Sequence, residues 1–314
     1  METNVKYAVG LDLGGTSVKY SVIDSEGAIL FHGKIPSRAQ ESAEAITGQL
    51  IAAVEFCRQE AVRREIILEG VGIGTPGIVD AGQRNIVGGA ENLAGWNHIP
   101  LADRIEQATG LRTAVDNDAN LMALGETRFG AAKGYTDVVF LTVGTGIGGG
   151  VLIGGKLYGG YANRGTELGH VPLIADGEPC PCGAIGCLER YASTAALVRR
   201  FLHRCEVADV KHESEVDGEL IVKLFHADDP IAVESLEEHC HFLGQGVAGI
   251  INTFSPQRVI IGGGISEAGD FYIEKINRHA MRYAVEACAA NTKIVAASLG
   301  NRAGSYGGVA LILD

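Results

Sequence analysis

The sequence predicts an α/β protein built from two related halves. Its 314 residues exceed the size at which a single hydrophobic core usually divides. Apolar runs of strand length alternate with runs of helical period along most of the chain. One plan, strand–glycine turn–strand–turn–strand, occurs twice, in LDLGGTSVKYSVIDSEGAIL (11–30) and LTVGTGIGGGVLIGGKLY (141–158). A repeat at that separation implies two copies of one supersecondary unit.

In chain order, Tyr7 to Leu13 is an apolar strand ending in Gly14-Gly15, followed by strands at Val18–Ile23 and Ala28–Phe31. Ile46, Leu50, Val54, Cys57 and Ala61 recur at helical spacing and predict an amphipathic helix over residues 40–64. A strand at 70–73 closes on Thr75-Pro76-Gly77, and a strand at 111–115 delivers Asp116-Asn117-Asp118 to a helix over 119–129. The second copy has strands at 138–143, 151–153 and 156–158, with Gly144 to Gly150 as the turn. Then come a strand at 258–261 ending in Gly262-Gly263-Gly264, a helix over 271–287, a strand at 293–297 and a helix over 305–313. Residues 205–230 show no period strong enough to assign.

Composition narrows the function. A formal charge of −12 argues against a nucleic-acid surface, which carries a basic patch. Anionic ATP remains compatible, because backbone N–H groups and Mg²⁺ handle phosphate locally. The opening METNVKYAVG lacks a basic-then-apolar leader and no run of eighteen apolar residues follows, so a cytoplasmic protein without a membrane span is expected. Seven cysteines are an odd number, and three of them crowd within eight residues, which reads as a metal site before a disulfide framework.

Asp12-Leu13-Gly14-Gly15-Thr16 and Gly144-Thr145-Gly146 are strand-to-strand turns. A phosphate needs several N–H groups converging with no side chain in the way, and glycine turns supply both. The second turn also spells G-x-G-x-x-G, but strand and another Gly-Gly turn follow where a dinucleotide fold opens a helix, so that reading fails. Two matching turns with the hydroxyls of Thr16 and Thr145 point to a nucleotide. Asp12, at a strand end beside a phosphate turn, is placed to hold Mg²⁺ through water.

Asp116-Asn117-Asp118 sits where a strand passes into a helix, a usual location for active-site groups and equally for a helix N-cap; the residues alone leave both open. His170, Cys180, Cys182 and Cys187 form H-x₉-C-x-C-x₄-C. Three thiolates and one imidazole complete a tetrahedral Zn²⁺ and leave no open position, so the metal is expected to be structural. Cys57, Cys205, Cys240 and Cys288 are scattered and read as packing residues.

Together these segments resemble the ROK family (repressors, open reading frames and sugar kinases) of the actin-like ATPase superfamily, from about residue 7 to 313. Asp12 to Thr16 is similar to that family's first phosphate loop, Gly144-Thr145-Gly146 to its second, and Gly262-Gly263-Gly264 to its adenosine segment. Asn117-Asp118, Glu167-Leu168-Gly169-His170 and Cys180 to Glu189 match its remaining motifs. The resemblance implies two actin-like (ribonuclease H-like) α/β domains with a cleft between them and a zinc knuckle. The boundaries it suggests are 1–118, joined by the C-terminal helix 304–314, and 119–303. It further implies Asp118 as the base, and Asn117, Asp118, Glu167, His170 and Glu189 as ligands of sugar hydroxyls. His170 would then bind zinc through one ring nitrogen and sugar through the other. Asp12, Gly14, Gly15, Thr16, Thr145, Gly146, Gly263 and Gly264 would hold ATP and Mg²⁺.

Asn92-Leu93-Ala94-Gly95-Trp96 is similar to the glucokinase branch, which makes Asn92 a further sugar ligand and glucose the expected substrate. An N-acetylmannosamine or N-acetylglucosamine kinase, a fructokinase, and a non-catalytic sugar-responsive regulator are the alternatives. The expected partners are sugar and ATP alone; family members often form homodimers, and the sequence marks no interface.

Overall fold

The computed structural model describes residues 5–211 and 215–313. Strands β1 (Tyr7–Leu13), β2 (Ser17–Asp24) and β3 (Ile29–Pro36) form an antiparallel meander. Helix α1 (Ala43–Arg63) follows, its first turn capped by Ser42 Oγ accepting from the Ala45 amide at 3.1 Å. Its Ile46, Leu50, Val54, Cys57 and Ala61 face the core, as their spacing requires. Then come β4 (Leu68–Thr75), the short pair β5 (Ile78–Val79) and β6 (Ile86–Gly88), α2 (Leu101–Thr109), β7 (Thr113–Asn117) and α3 (Asp118–Phe129). The sheet runs β3-β2-β1-β4-β7, with β4 parallel to both β1 and β7.

The second copy begins with β8 (Val138–Val143), β9 (Ile147–Ile153) and β10 (Lys156–Leu157). Helices α4 (Leu188–Ala192), α5 (Thr194–Val207), α6 (Gly218–His226) and α7 (Pro230–Phe254) lead to β11 (Arg258–Gly262). The chain closes with α8 (Asp270–Ala280), α9 (Glu286–Ala289), β12 (Lys293–Ala296) and α10 (Ala303–Leu313). This sheet runs β10-β9-β8-β11-β12. In both sheets the first strand of the copy is central, the second and third lie to one side, and two parallel strands reached by crossovers lie to the other. Among the described residues no helix is long and apolar enough to cross a membrane.

Two compact units separate: residues up to 136 with 150–166 and from 301 onward, and residues 137–149 with 167–300. The boundary expected at residue 118 therefore shifts, because α3 and the segment after β9's midpoint pack within the first unit. A Cβ on Gly307 would sit 1.7 Å from the Leu121 carbonyl oxygen, so α10 and α3 touch backbone to backbone. A Cβ on Gly150 would stand 2.8 Å from the Ala119 carbonyl oxygen.

The glycines of the first sheet explain how α10 lies on it. A Cβ on Gly10 of β1 would stand 1.8 Å from the Ser305 carbonyl oxygen, and one on Gly72 of β4 would stand 1.8 Å from that of Gly308. Backbone cannot give way as a side chain can, so Gly72→Ala is expected to lose about 3 kcal/mol by overpacking, read as a lower urea midpoint. An unchanged midpoint would show that α10 shifts freely on the sheet.

Local details depart from the sequence reading at three places. The helix expected over 271–287 stops at Ala280: the Arg282 and Tyr283 amides tighten onto the His279 and Ala280 carbonyls, and Asn252 then takes the chain, its Oδ1 accepting from the Val285 amide at 2.7 Å and its Nδ2 donating to the Tyr283 carbonyl at 3.2 Å. The second glycine turn is shorter than Gly144–Gly150, since β9 already begins at Ile147. Within 205–230, α6 forms and buries Ile221, while residues 212–214 lie outside the described part.

Candidate active site

In the first unit, the β1–β2 turn closes with the Gly14 amide donating to the Ser17 carbonyl at 2.9 Å. Gly15 and Thr16 are exposed, and a Cβ on Gly15 would meet nothing within 4 Å. The fold itself does not require glycine there, and the turn's backbone is left uncovered. Asp12 is buried beside this turn, with Lys19, its cross-strand partner, holding Nζ 3.5 Å from Oδ2. Burial pushes the Asp12 carboxyl up and Lys19 pulls it back. Lys19 was not singled out from the sequence; its register opposite Asp12 in the hairpin is the signal that would have found it.

The end of β7 carries the acid pair. Asn117, not Asp116, caps α3: its Oδ1 accepts from the Ala119 amide at 2.9 Å and the Asn120 amide at 3.3 Å, while Nδ2 donates to the Gly77 carbonyl at 3.0 Å. Asp118 is the first helical residue and half-buried, with Oδ1 accepting from the Ala119 amide at 2.8 Å. Asp116 turns inward and is 2 % exposed. Asn92 is exposed, and its carbonyl accepts from Gln40 Nε2 at 3.1 Å. Trp96 is a core anchor, 1 % exposed, with Nε1 donating to Thr75 Oγ1 at 2.8 Å.

In the second unit, Gly144, Thr145 and Gly264 line a cavity of about 1160 Å³ together with Val198, Asp217 and Ile265. Cβ atoms on Gly144 or Gly264 would meet nothing within 4 Å, whereas Gly263 is required by the fold. Its φ is +92°, and a Cβ would stand 2.1 Å from the Val143 carbonyl oxygen. Gly263 thereby lays the end of β11 against the end of β8. The contribution of α6 to this cavity, through Asp217, Gly218 and Val222, was missed because its period is weak in the sequence.

His170, Cys180, Cys182 and Cys187 converge, with one ligand atom from each lying within 4.8 Å of the others. Cys182 and Cys187 Sγ atoms are 3.7 Å apart, and Cys180 Sγ is 3.6 Å from His170 Nδ1. Around a tetrahedral zinc, bond lengths of ~2.3 Å to sulfur and ~2.05 Å to nitrogen require edges of about 3.8 and 3.6 Å. The donor set and its spacing therefore fit zinc, with His170 Nε2 left free of it. Burial and the neighbouring thiols push the Cys187 thiol up to about 12, so its thiolate form calls for a cation beside it. Gly186, at φ +74°, lets the knuckle fold back, since a Cβ would stand 1.9 Å from the Ile174 carbonyl oxygen.

Glu189, in the first turn of α4, accepts from the Ile147 amide through Oε2 at 2.8 Å, and a Cβ on Gly146 would lie 2.4 Å from that oxygen. Gly169 packs on the same spot, for its Cβ would stand 2.0 Å from the Ile147 carbonyl oxygen. The second glycine turn, the segment carrying Glu167 and His170, and the cysteine segment are thus gathered at one point. Glu167 itself is exposed, immediately before the 3₁₀ turn Leu168–His170.

A family model described as the ROK family matches residues 8–314. A glucokinase of Streptomyces coelicolor is 37% identical over 313 residues, 95% of each chain. The crystal structure of a ROK family glucokinase from Streptomyces griseus in complex with glucose and AMPPNP superposes with a TM-score of 0.83 at 35% identity, covering 97% of this chain and 98% of that one. A xylose repressor of Caldicellulosiruptor bescii is 30% identical over 98% of this chain and 78% of its own. With the duplicated sheet and both glycine turns in place, a match that runs nearly end to end leaves no element of the fold outside it: the chain belongs to the ROK family.

Proposed function

We propose that this chain is an ATP-dependent glucose kinase that transfers the γ-phosphoryl group to a hydroxyl of the free sugar. Likeness over 97% of the chain to a glucokinase that binds glucose and AMPPNP is the observation that carries this reading. The residues offer a consistent division of labour. Asp118 accepts the hydroxyl proton as the sugar oxygen bonds to the γ-phosphorus; the bond from that phosphorus to the bridging oxygen breaks, and ADP leaves. Asn92, Glu167, Glu189 and His170 Nε2 hold the sugar hydroxyls, for which carboxylate oxygens are suited acceptors, and Asn117, whose oxygen caps α3, contributes its remaining Nδ2 hydrogen. Gly14, Gly15, Thr16, Thr145 and Gly146 present backbone N–H and hydroxyl donors to the phosphates, and the cavity at Gly263-Gly264 takes the adenosine. Asp12 would hold Mg²⁺, which when bound neutralises phosphate charge. His170 and the three cysteines would hold a structural zinc that fixes the imidazole's orientation.

A coupled ADP-release assay over glucose, fructose, N-acetylglucosamine and N-acetylmannosamine tests this. Glucose is expected to lead in kcat/KM by roughly tenfold or more, the discrimination a few pocket contacts supply. No ADP with any sugar would sink the kinase reading, and a lead for another sugar would sink glucose. The repressor likeness makes a sugar-responsive regulator the second reading, which predicts sugar binding without turnover.

A further inference from the structure

Asp116 is a buried carboxylate with no part in the transfer described above, yet four donors from four places in the first unit converge on it. Its Oδ1 accepts from the Asn117 amide at 2.7 Å and from Asn120 Nδ2 at 2.9 Å. Its Oδ2 accepts from Gln83 Nε2 at 3.0 Å, and the Asn163 side chain donates to it as well. Asn163 Nδ2 also donates to the Val79 carbonyl at 3.1 Å. All four partners are N–H donors. Burial raises the Asp116 carboxyl and these donors pull it back down; its several lone pairs suit them, whereas an NH₂ group in its place would clash.

Backbone strain marks the same two contacts. Gln83 and Asn163 are non-glycine residues at φ +56° and +57°, in the left-handed region, and both deliver amides to this one carboxylate. Ala162 at φ +55° and Thr166 at +66° share the strain of the segment after β10. Gly159 makes room for the contact, since a Cβ there would stand 1.6 Å from Asn163 Oδ1. Asp116 is two residues before Asp118, on the last turnless stretch of β7, and Asn120 is two residues after it, on α3. The carboxylate therefore bridges the strand and the helix that together aim Asp118.

We propose that Asp116 is a positioning residue for phosphoryl transfer: with Asn163 as a clamp from the 159–166 segment and Gln83 from the loop before β6, it locks the strand-to-helix junction that presents Asp118. The proposal rests on Asp118 acting as the base. A base displaced by about 1 Å loses up to ~100-fold in rate while ground-state binding is kept, so the signature is a fall in kcat without a matching rise in KM.

The test compares Asp116→Asn, Asn163→Ala and Gly159→Ala in the full chain. Each is expected to lower kcat for glucose about 10- to 100-fold while the KM values for glucose and ATP move less than about threefold. The double variant Asp116→Asn/Asn163→Ala is expected to be no slower than Asp116→Asn alone, because both act through one contact. Unchanged kcat, additive losses, or a loss that only tracks the folded fraction seen by circular dichroism would overturn the proposal. Should Asp116→Asn fold poorly, Asn163→Ala and Gly159→Ala leave the buried carboxylate intact and decide the matter. Amide exchange of Gly165, whose N–H donates to the Gly159 carbonyl at 2.7 Å, gives a readout independent of catalysis. Faster exchange at Gly165 in Asp116→Asn supports the clamp and unchanged exchange refutes it, even if the wild-type chain proves not to phosphorylate glucose.

Discussion

Asp118→Asn is expected to lower kcat for glucose about a thousandfold, within the range that a positioned general base contributes. The substitution keeps size and shape, and asparagine is tolerated at a helix start, so α3 should form as before. Asn117 retains both of its capping contacts, to the Ala119 and Asn120 amides. What is lost is the ability to accept a proton as the sugar oxygen attacks. Glucose affinity by calorimetry is therefore expected to stay within a few-fold of wild type, and the loss should appear in kcat and kcat/KM alike. Near-normal turnover in this variant would remove Asp118 from the role and would leave it a first-turn acid beside the Asn117 cap.

Breaking the histidine–cysteine cluster should have the second large effect, and on a different quantity. Cys187→Ser is expected to abolish zinc in elemental analysis and to weaken glucose binding roughly 10- to 100-fold, the cost of disturbing a shell that orients a ligand. Cys187 is fully buried and its sulfur stands 3.7 Å from that of Cys182, so a serine leaves the remaining thiols without a fourth partner. The knuckle is anchored through Cys187 to Pro172 in a strand bridge, and through the Leu188 amide to the Val171 carbonyl at 2.9 Å. Its loosening therefore reaches His170 on one side and Glu189 on the other. A chelator should reproduce both effects in wild type, and added Zn²⁺ should reverse them. Zinc-free protein with unchanged glucose affinity would show that the cluster and the sugar residues are uncoupled.

Ile147 joins the second glycine turn to both flanks of the cysteine cluster. Its amide is taken by the Glu189 carboxylate, and its carbonyl lies against Gly169, one position before His170. A sugar ligand held by Glu189 would thus share an oxygen-bearing group with the second glycine turn.

Much of this was written in local pattern. The two glycine turns lie between apolar runs of a few residues, and the four candidate metal donors lie within eighteen positions of one another, so short-range spacing suffices to find them. The buried face of α1 and the capped start of α3 follow from periodicity and from the residue type before the helix. The choice between Asp116 and Asn117 as the cap did not follow, since both side chains can do it; burial under Gln83 and Asn163 decided it. Nor did the course of the chain after α8, which is taken up by Asn252, 28 positions before Ala280 in α7.

The sequence by itself determined the duplicated α/β plan, the glycine turns and the set of soft donors, because each is encoded by neighbours within one or two elements. Tertiary structure alone decided that α3 packs beside α10 in the first unit, that α6 lines the large cavity, and which partners the buried Asp12 and Asp116 carboxylates receive. The reason is the same in each case. A periodic pattern specifies which face of an element must leave water, but a buried charge or a close backbone approach is satisfied by groups far away in the chain, and no local pattern names them.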